Sequence, residues 1–463
     1  MYQRHKRWIS VDKFILAAIP LSILLIATSV LSPASLGAML IVLLFGGLFL
    51  AVFRVYTTDK TFISTLFIAA VLVRIAVGVF IEIYDLRGFF GGDAITYDHR
   101  GTVLLNTWLG VGNDSTQDLA IATTRVGPGW GMYYFVAAIY FFVGRNIFAA
   151  QCFCGVIGAA IAPMAYYCSD AIFANRRLSR IAAIIVAFFP AMIIWTSQLM
   201  KDGLIIFLLV LAMTMVIQLQ RRVNALGMVL LGFALFGILS LRFYIFFPAV
   251  FAAVGSFIIG VSKTNNTIIS RIVILTILGV TLTYFGVARL ASTNLDRFGN
   301  LAAIQNSRLD LAQSAASGFG SDVDVSTPEG AILALPIGLT YLLLAPFPWQ
   351  AMNLRQGITI PDTILWWMSI PLIISGLWYS LRHRLRNVLP VLVFTILLTL
   401  SYAIFQGNVG TAYRQRAQIQ VFLFMFAAAG LVIRLERRDD RAALATAHRR
   451  AISQRNELIA RQT

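Results

Sequence analysis

The sequence predicts an all-α, polytopic membrane protein, and three observations predict it. Apolar residues make up 59% of the 463 positions and charged residues 12%, against about 45–50% and about 25% in an average soluble domain. Mean hydropathy is +0.80. The apolar residues gather in repeated runs of about 20, long enough to cross a bilayer as helices, which satisfy their own backbone hydrogen bonds in lipid. So few charges cannot cover a water-exposed surface. An ordinary soluble enzyme, a disordered chain and a secreted disulfide scaffold are all excluded.

About twelve spans are expected, at 14–31, 36–53, 62–83, 147–169, 181–198, 203–219, 224–241, 244–261, 272–290, 362–380, 388–406 and 418–434. The net charge is +17, from 37 Lys and Arg against 20 Asp and Glu. With the N-terminus inside, the excess falls on inner loops: Arg54, Lys60, Arg176, Arg177, Arg180, Arg221, Arg222, Arg382, Arg384, Arg386 and the tail from Arg434 onward. That is the positive-inside bias, so both termini are expected in the cytoplasm of an inner-membrane protein, and nucleic acid is not needed to explain the charge. Met1–Arg7 is basic and leads into an apolar run with no small-residue cleavage pattern, so an uncleaved first span is expected.

Two outer segments, 84–146 and 291–361, are too long to be simple connectors. Each holds a short apolar stretch, 130–143 and 331–344, expected to lie along the outer face; if both crossed, the count would be about fourteen. Residues 1–434 then form one membrane domain, and 435–463 a basic cytoplasmic tail. Cys152, Cys154 and Cys168 share one apolar run without C-x-x-C spacing. They read as small core residues, not as a disulfide or metal site.

Three groups of residues point to chemistry. The first outer segment contains Gly91-Gly92-Asp93-Ala94-Ile95-Thr96-Tyr97. Gly92 lets the chain turn tightly and brings the Asp93 carboxylate close to a bulky ligand at the membrane surface. A carboxylate there can take a proton from an attacking hydroxyl or ligate a divalent cation, the one cofactor left open. Tyr97 lies one helical turn on. The bland alternatives are a turn-forming Asp and an interfacial aromatic anchor.

The second group is Trp195–Gly203, in which Lys201 and Asp202 open a span. An acid is favoured at a helix N-terminus on its own account. The functional reading is a second acid facing Asp93, with Lys201 available to a phosphate. The third group is arginine on the outer side: Arg242, Arg414 and Arg416. It runs against the positive-inside bias, and guanidinium binds phosphate through paired hydrogen bonds; snorkelling to head groups is the alternative. Arg74 falls mid-span and must face protein or a cavity. No P-loop, H-E-x-x-H, G-x-S-x-G or dinucleotide fingerprint is present, which argues against a nucleotide-activated donor.

The order of these motifs resembles the GT-C superfamily of membrane glycosyltransferases, in particular its bacterial branch similar to protein O-mannosyltransferases and the lipid A aminoarabinose transferase. Gly92-Asp93-Ala94-x-x-Tyr97 matches an acid in the first large outer loop. Gly127–Trp130 matches a Gly-Pro-x-Trp/Tyr segment, Val143–Asn146 a Val-Gly-Arg-Asn turn, and Pro190, Ser197 and Asp202 a following Pro, Ser and Asp. The resemblance covers roughly residues 62–220. Two departures are the position of the acid, after the third span instead of the first, and Ala94 where the family often has Glu.

The resemblance implies a sugar donor carried on polyprenyl phosphate and an acceptor that is a glycan, lipid or protein outside the cytoplasm. Asp93 and Asp202 would be the catalytic acids, Lys201, Arg242, Arg414 and Arg416 the donor-phosphate residues, and Gly92 and Tyr97 substrate contacts. Two rival readings remain: a polysaccharide polymerase or ligase, which would not need Asp93 beside Asp202, and a transporter or flippase of lipid-linked sugars, which would show inverted repeats or spans broken at mid-membrane.

Overall fold

The computed structural model describes residues 35–90, 92–111, 129–259, 275–277, 279–284, 286–313, 317–350 and 354–462, with side chains up to residue 438 except at 35, 259, 297, 298 and 355. Among them the regular structure is helical, joined by turns and loops, and an isolated antiparallel bridge links Gly318 and Asn408. Seven helices are long and apolar enough to cross a membrane: Leu36–Val55, Lys60–Ile83, Ile147–Phe173, Lys201–Arg221, Ile360–His383, Leu385–Phe405 and Val409–Arg438. The expected span at 14–31 lies outside the described residues, as do Gly91, Gly127 and Pro128.

Two expected spans are broken. The 181–198 region is Arg176–Phe188 and Pro190–Thr196, meeting at 55°, and the 272–290 region is Leu275–Tyr284 and Val287–Asp296, meeting at 75°. At the first break the cause is Pro190, which has no N–H for the helical ladder and disfavours helical geometry at Phe189. Counting each pair as one span gives up to nine. The 224–241 and 244–261 regions form 17-residue helices, Ala225–Leu241 and Phe243–Ile259, at the short limit for a spanning helix. The short stretches in the long segments are helices too, Trp130–Val143 and Pro328–Leu344.

Local chemistry sets the helix starts. The side chains of Asn146, Asn175 and Asn224 each accept from the backbone N–H three residues on, at 2.9, 3.0 and 2.6 Å. That is the N-cap arrangement, which satisfies a donor the helix leaves open. Within the Val143–Asn146 turn, Gly144 has φ +77° and Arg145 reaches back to Asp98 at 2.6 Å.

The Ile147–Phe173 helix is the hub. It packs on Leu36–Val55, Lys60–Ile83, Arg176–Phe188 and Lys201–Arg221, and its Ala, Gly and Cys positions allow this close approach. Cys152, Cys154 and Cys168 are free and buried there. A second layer is Ile360–His383 against the Val409–Gln462 helix. Here Gly376 faces the backbone of Phe426, and Gly430 that of Leu372, so the two backbones touch. The Val409–Gln462 helix continues without a break past residue 434.

Candidate functional site

A cluster of charged side chains forms where four elements end or begin. The Asp93–Leu109 helix brings Asp93 in its first turn, with Gly92 as its N-terminal flank. The Lys201–Arg221 helix opens with Lys201 and Asp202. Arg242 follows the Ala225–Leu241 helix directly, and Arg414 lies in the second turn of the last helix.

One guanidinium joins the two acids. Arg414 donates from Nη1 to Asp93 Oδ2 at 2.7 Å and places Nε 3.3 Å from Asp202 Oδ2. Arg242 Nη2 is 3.1 Å from Asp202 Oδ1. Gln418 Nε2, one turn after Arg414, reaches the same oxygen at 3.5 Å. Gln418 is held in turn by the Tyr402 hydroxyl, which donates to its Oε1 at 2.6 Å. Lys201 is within electrostatic reach of all four charges. Three basic side chains therefore face two carboxylates.

The two acids differ in access. Asp202 is fully buried, whereas the Asp93 side chain is 42% exposed. A buried carboxylate between two guanidiniums is held in place by them and holds them in return. A half-exposed one is free to meet a substrate. Buried Arg242 Nη1 and Trp195 Nε1 have no hydrogen-bond partner among the described residues. They are donors that an incoming anion or hydroxyl can use.

The rim is aromatic and close-packed. Arg414 lies over the Trp195 ring at 5.9 Å, and Trp195 is edge-on to Phe90 and to Tyr413. Tyr97 is buried, 6.1 Å from the Tyr133 ring; burial, then the nearby Asp93 charge, push its phenol well above its ordinary value, so it acts as a neutral hydroxyl. Gly129, with φ +84°, brings its backbone over Lys201: a Cβ there would stand 3.0 Å from Nζ. Gly131 meets the Ser240 side chain in the same way. The start of the Trp130–Val143 helix is thereby pressed against Lys201 and the end of the Ala225–Leu241 helix, beside Arg242.

The structure thus brings together Asp93, Asp202, Lys201, Arg242, Arg414 and Tyr97, with Gly92 at the edge. It does not bring Arg416. That side chain donates to the Ala345 and Leu343 carbonyls at 2.7 and 3.2 Å and lies against the Trp366 and Tyr413 rings. The reason is helical geometry: residues two apart point to different faces. Its charge meets the C-terminal end of the Pro328–Leu344 helix, where a cation is favoured. Arg74 faces protein, as mid-span burial requires, and its partners are Thr196 Oγ1 and the Ala70 and Ala187 carbonyls. His99 is exposed.

A divalent cation does not fit these side chains as placed. Both carboxylates are engaged by Arg414, and among the described residues no three His, Cys, Asp or Glu gather to hold a metal ion.

Sequence reasoning missed Gln418, Tyr402 and Asp362, and gave Trp195 and Tyr413 no role. Its available signal was polarity inside apolar runs: Gln415, Gln418 and Gln420 interrupt the last span, and Asp362 follows Pro361 at the start of another. Asp98 was also missed. Burial pushes its carboxyl up, but hydrogen bonds from Arg145 and Tyr140 more than offset this and hold it below the usual range. It anchors the turn at 143–146.

Fold and cluster together define a multi-pass helical membrane protein with a charged, partly open site at one end of its bundle. No protein-family model and no curated protein matches the chain. Among the solved structures similar to it are two of archaeal oligosaccharyltransferase from Archaeoglobus fulgidus. One is AglB in complex with an inhibitory peptide and a dolichol-phosphate, at 14% identity and a TM-score of 0.39, covering 70% of this chain and 44% of its own. The other is an apo form, at 12% identity and a TM-score of 0.46, covering 82% of this chain and 52% of its own. The chain spans about half the length of each. Identity this low transfers no residue role to the present chain.

Proposed function

We propose that the protein is a membrane glycosyltransferase that moves a sugar from a polyprenyl-phosphate donor to a cell-envelope acceptor (glycan, lipid or protein) on the outer side of the inner membrane. The observation that carries this reading is the Arg414 guanidinium joined to both Asp93 and Asp202. It supplies a phosphate ligand and a candidate base at one place.

The chemistry is a direct displacement with inversion. The donor phosphate engages Arg242, Arg414 and Lys201. As it takes up Arg414 Nη1, Asp93 is left free to accept a proton. An acceptor hydroxyl gives that proton to Asp93 and attacks the anomeric carbon. The bond from that carbon to the phosphate oxygen breaks, and the polyprenyl phosphate leaves with the electron pair. The three cations hold the charge that builds on it, and preorganised cations in a buried site are effective at this. Asp202 fixes the arginines in direction instead of touching the acceptor.

The test is turnover of lipid donors by protein in nanodiscs. A panel of polyprenyl-phosphate sugars is supplied with and without EDTA, and free polyprenyl phosphate is measured. Release by wild type but not by folded Asp93→Asn is expected. Full release by Asp93→Asn overturns the role of Asp93. Release only from pyrophosphate-linked oligosaccharides assigns the protein to the polymerase or ligase class instead.

A further inference from the structure

The break at Phe189–Pro190 leaves two backbone groups that an unbroken helix would pair with each other, the Ala187 carbonyl and the Ala191 N–H. Each is claimed by a different charged side chain. The Ala187 carbonyl accepts from Arg74 Nη1 at 3.0 Å. The Ala191 N–H donates to Asp362 Oδ1 at 2.8 Å. Arg74 Nε also donates to Thr196 Oγ1 at 2.8 Å, so that one guanidinium ties the last turn of the Arg176–Phe188 helix to the last residue of the short Pro190–Thr196 helix. Thr196 is pressed between Gly158 of the hub helix and Gly203. The chain from 197 to 202, which delivers Lys201 and Asp202, therefore departs from a fixed point.

Asp362 does more than cap this break. Its other oxygen accepts from the Tyr413 hydroxyl at 3.0 Å. Tyr413 immediately precedes Arg414, and its ring is edge-on to Trp195, 6.3 Å between centroids. Asp362 thus ties three elements: the broken helix, its own Ile360–His383 helix, and the helix that carries Arg414. It is 2% exposed, and its two oxygens bond to Ala191 and Tyr413. A buried carboxylate is costly unless each oxygen is satisfied, and here one oxygen is spent on each side of the join.

We infer that Asp362 is a positioning residue for Arg414, acting through Tyr413 and the helix break to set where the guanidinium meets Asp93 and Asp202. The inference rests on the donor-phosphate reading of the site only for its consequence in binding; its geometric content stands apart from that reading.

Two measurements on the full chain in nanodiscs test it. The first is hydrogen exchange of wild type, Asp362→Asn, Asp362→Leu and Tyr413→Phe. Asp362→Leu is expected to raise exchange at 187–196 and also at 93–100 and 409–418. Asp362→Asn keeps an oxygen for Ala191 and is expected to stay near wild type. Tyr413→Phe is expected to leave 187–196 protected and to raise exchange at 93–100. A rise in Asp362→Leu confined to 187–196 would reduce Asp362 to a local cap and overturn the inference. Tyr413→Phe and Asp362→Asn keep the test alive should Asp362→Leu fail to fold.

The second is the affinity for undecaprenyl phosphate, with Tyr413→Phe placed in wild-type and in Arg414→Ala backgrounds. A loss of about tenfold in the first and none in the second is expected if Tyr413 acts through Arg414. Equal losses in both backgrounds overturn the inference. If wild type takes up no undecaprenyl phosphate, the donor reading falls and the exchange pattern alone decides the positioning role.

Discussion

Asp202 has no access to solvent and is held by two guanidiniums, while Asp93 is 42% exposed and touches one of them. The two acids should therefore fail differently when altered. Removing one partner of a buried ion pair costs about 3–5 kcal/mol, because the other charge is left uncompensated. An exposed pair is worth at most about 1 kcal/mol. Asp202→Ala is expected to lower thermal stability sharply, and Asp93→Asn to leave the melting temperature close to wild type while abolishing transfer. Equal melting temperatures for the two variants would contradict the burial argument. Arg416→Ala should likewise unfold more easily, since it leaves the carbonyls of Leu343 and Ala345 unpaired, yet keep the affinity for undecaprenyl phosphate that Arg414→Ala loses. Residue types and sidedness made Asp93, Asp202, Lys201, Arg242 and Arg414 legible in the sequence. Nothing in Tyr413-Arg414-Gln415-Arg416 says which arginine faces the acids. That depends on the rotation of the last helix, which its packing on Ile360–His383 sets.

Among the elements, the closest joins are made by glycine. Gly376 meets the backbone of Phe426, and Gly430 that of Leu372, so the Ile360–His383 helix and the last helix have no room for a Cβ. Overpacking such a contact costs about 1–3 kcal/mol or more. Gly376→Ala should lower the melting temperature and, by moving the last helix, weaken donor binding as well; unchanged stability would show that the helices part without cost. At the opposite end of the Lys60–Ile83 helix, hydrogen bonds from Arg176 and Arg180 hold the Asp59 carboxyl well below the usual carboxylate range. A depressed carboxyl contributes stability above its unfolded pKa of about 3.9 and loses it only as pH falls further. The melting temperature of Asp59→Asn should trail wild type at pH 5–8 and close on it below about pH 4. Long apolar runs made most helices readable, and 130–143 is a helix with those same bounds. The bend at Phe189 is written locally in Pro190, but the groups that satisfy it, Arg74 and Asp362, lie 113 and 171 residues away along the chain from the backbone groups they serve, beyond any reading of local pattern.

For the whole molecule, what matters is that the two charged centres lie at opposite ends of one span. Asp59 flanks the start of Lys60–Ile83, and Asp93 follows its end; 24 residues of helix cover about 36 Å, a full hydrocarbon core. The Asp59 end gathers Arg176 and Arg180 in ion pairs, with Arg177, Arg221, Arg222, Arg384 and Arg386 on the adjoining turns. The bias of basic residues toward the cytoplasm assigns that end to the inside. The proposed function then requires the Asp93–Arg414 end to face out, where a lipid-linked sugar would reach it. The number of crossings was hard to read from the sequence, because a bent pair and a 17-residue helix look the same as a full span in an apolar profile. Sidedness survives that ambiguity, since it depends on which residues share an end and not on the total. It is checked with single cysteines at two exposed positions, Ile95→Cys beside the site and Arg222→Cys at the other end. The three native cysteines are buried and should stay silent. An impermeant maleimide is expected to label Ile95→Cys in intact cells and Arg222→Cys only after permeabilisation. The reverse pattern would turn the cluster toward the cytoplasm and remove the outer-leaflet donor from the mechanism. Labelling of both from one side would contradict the placement of the two centres across a membrane.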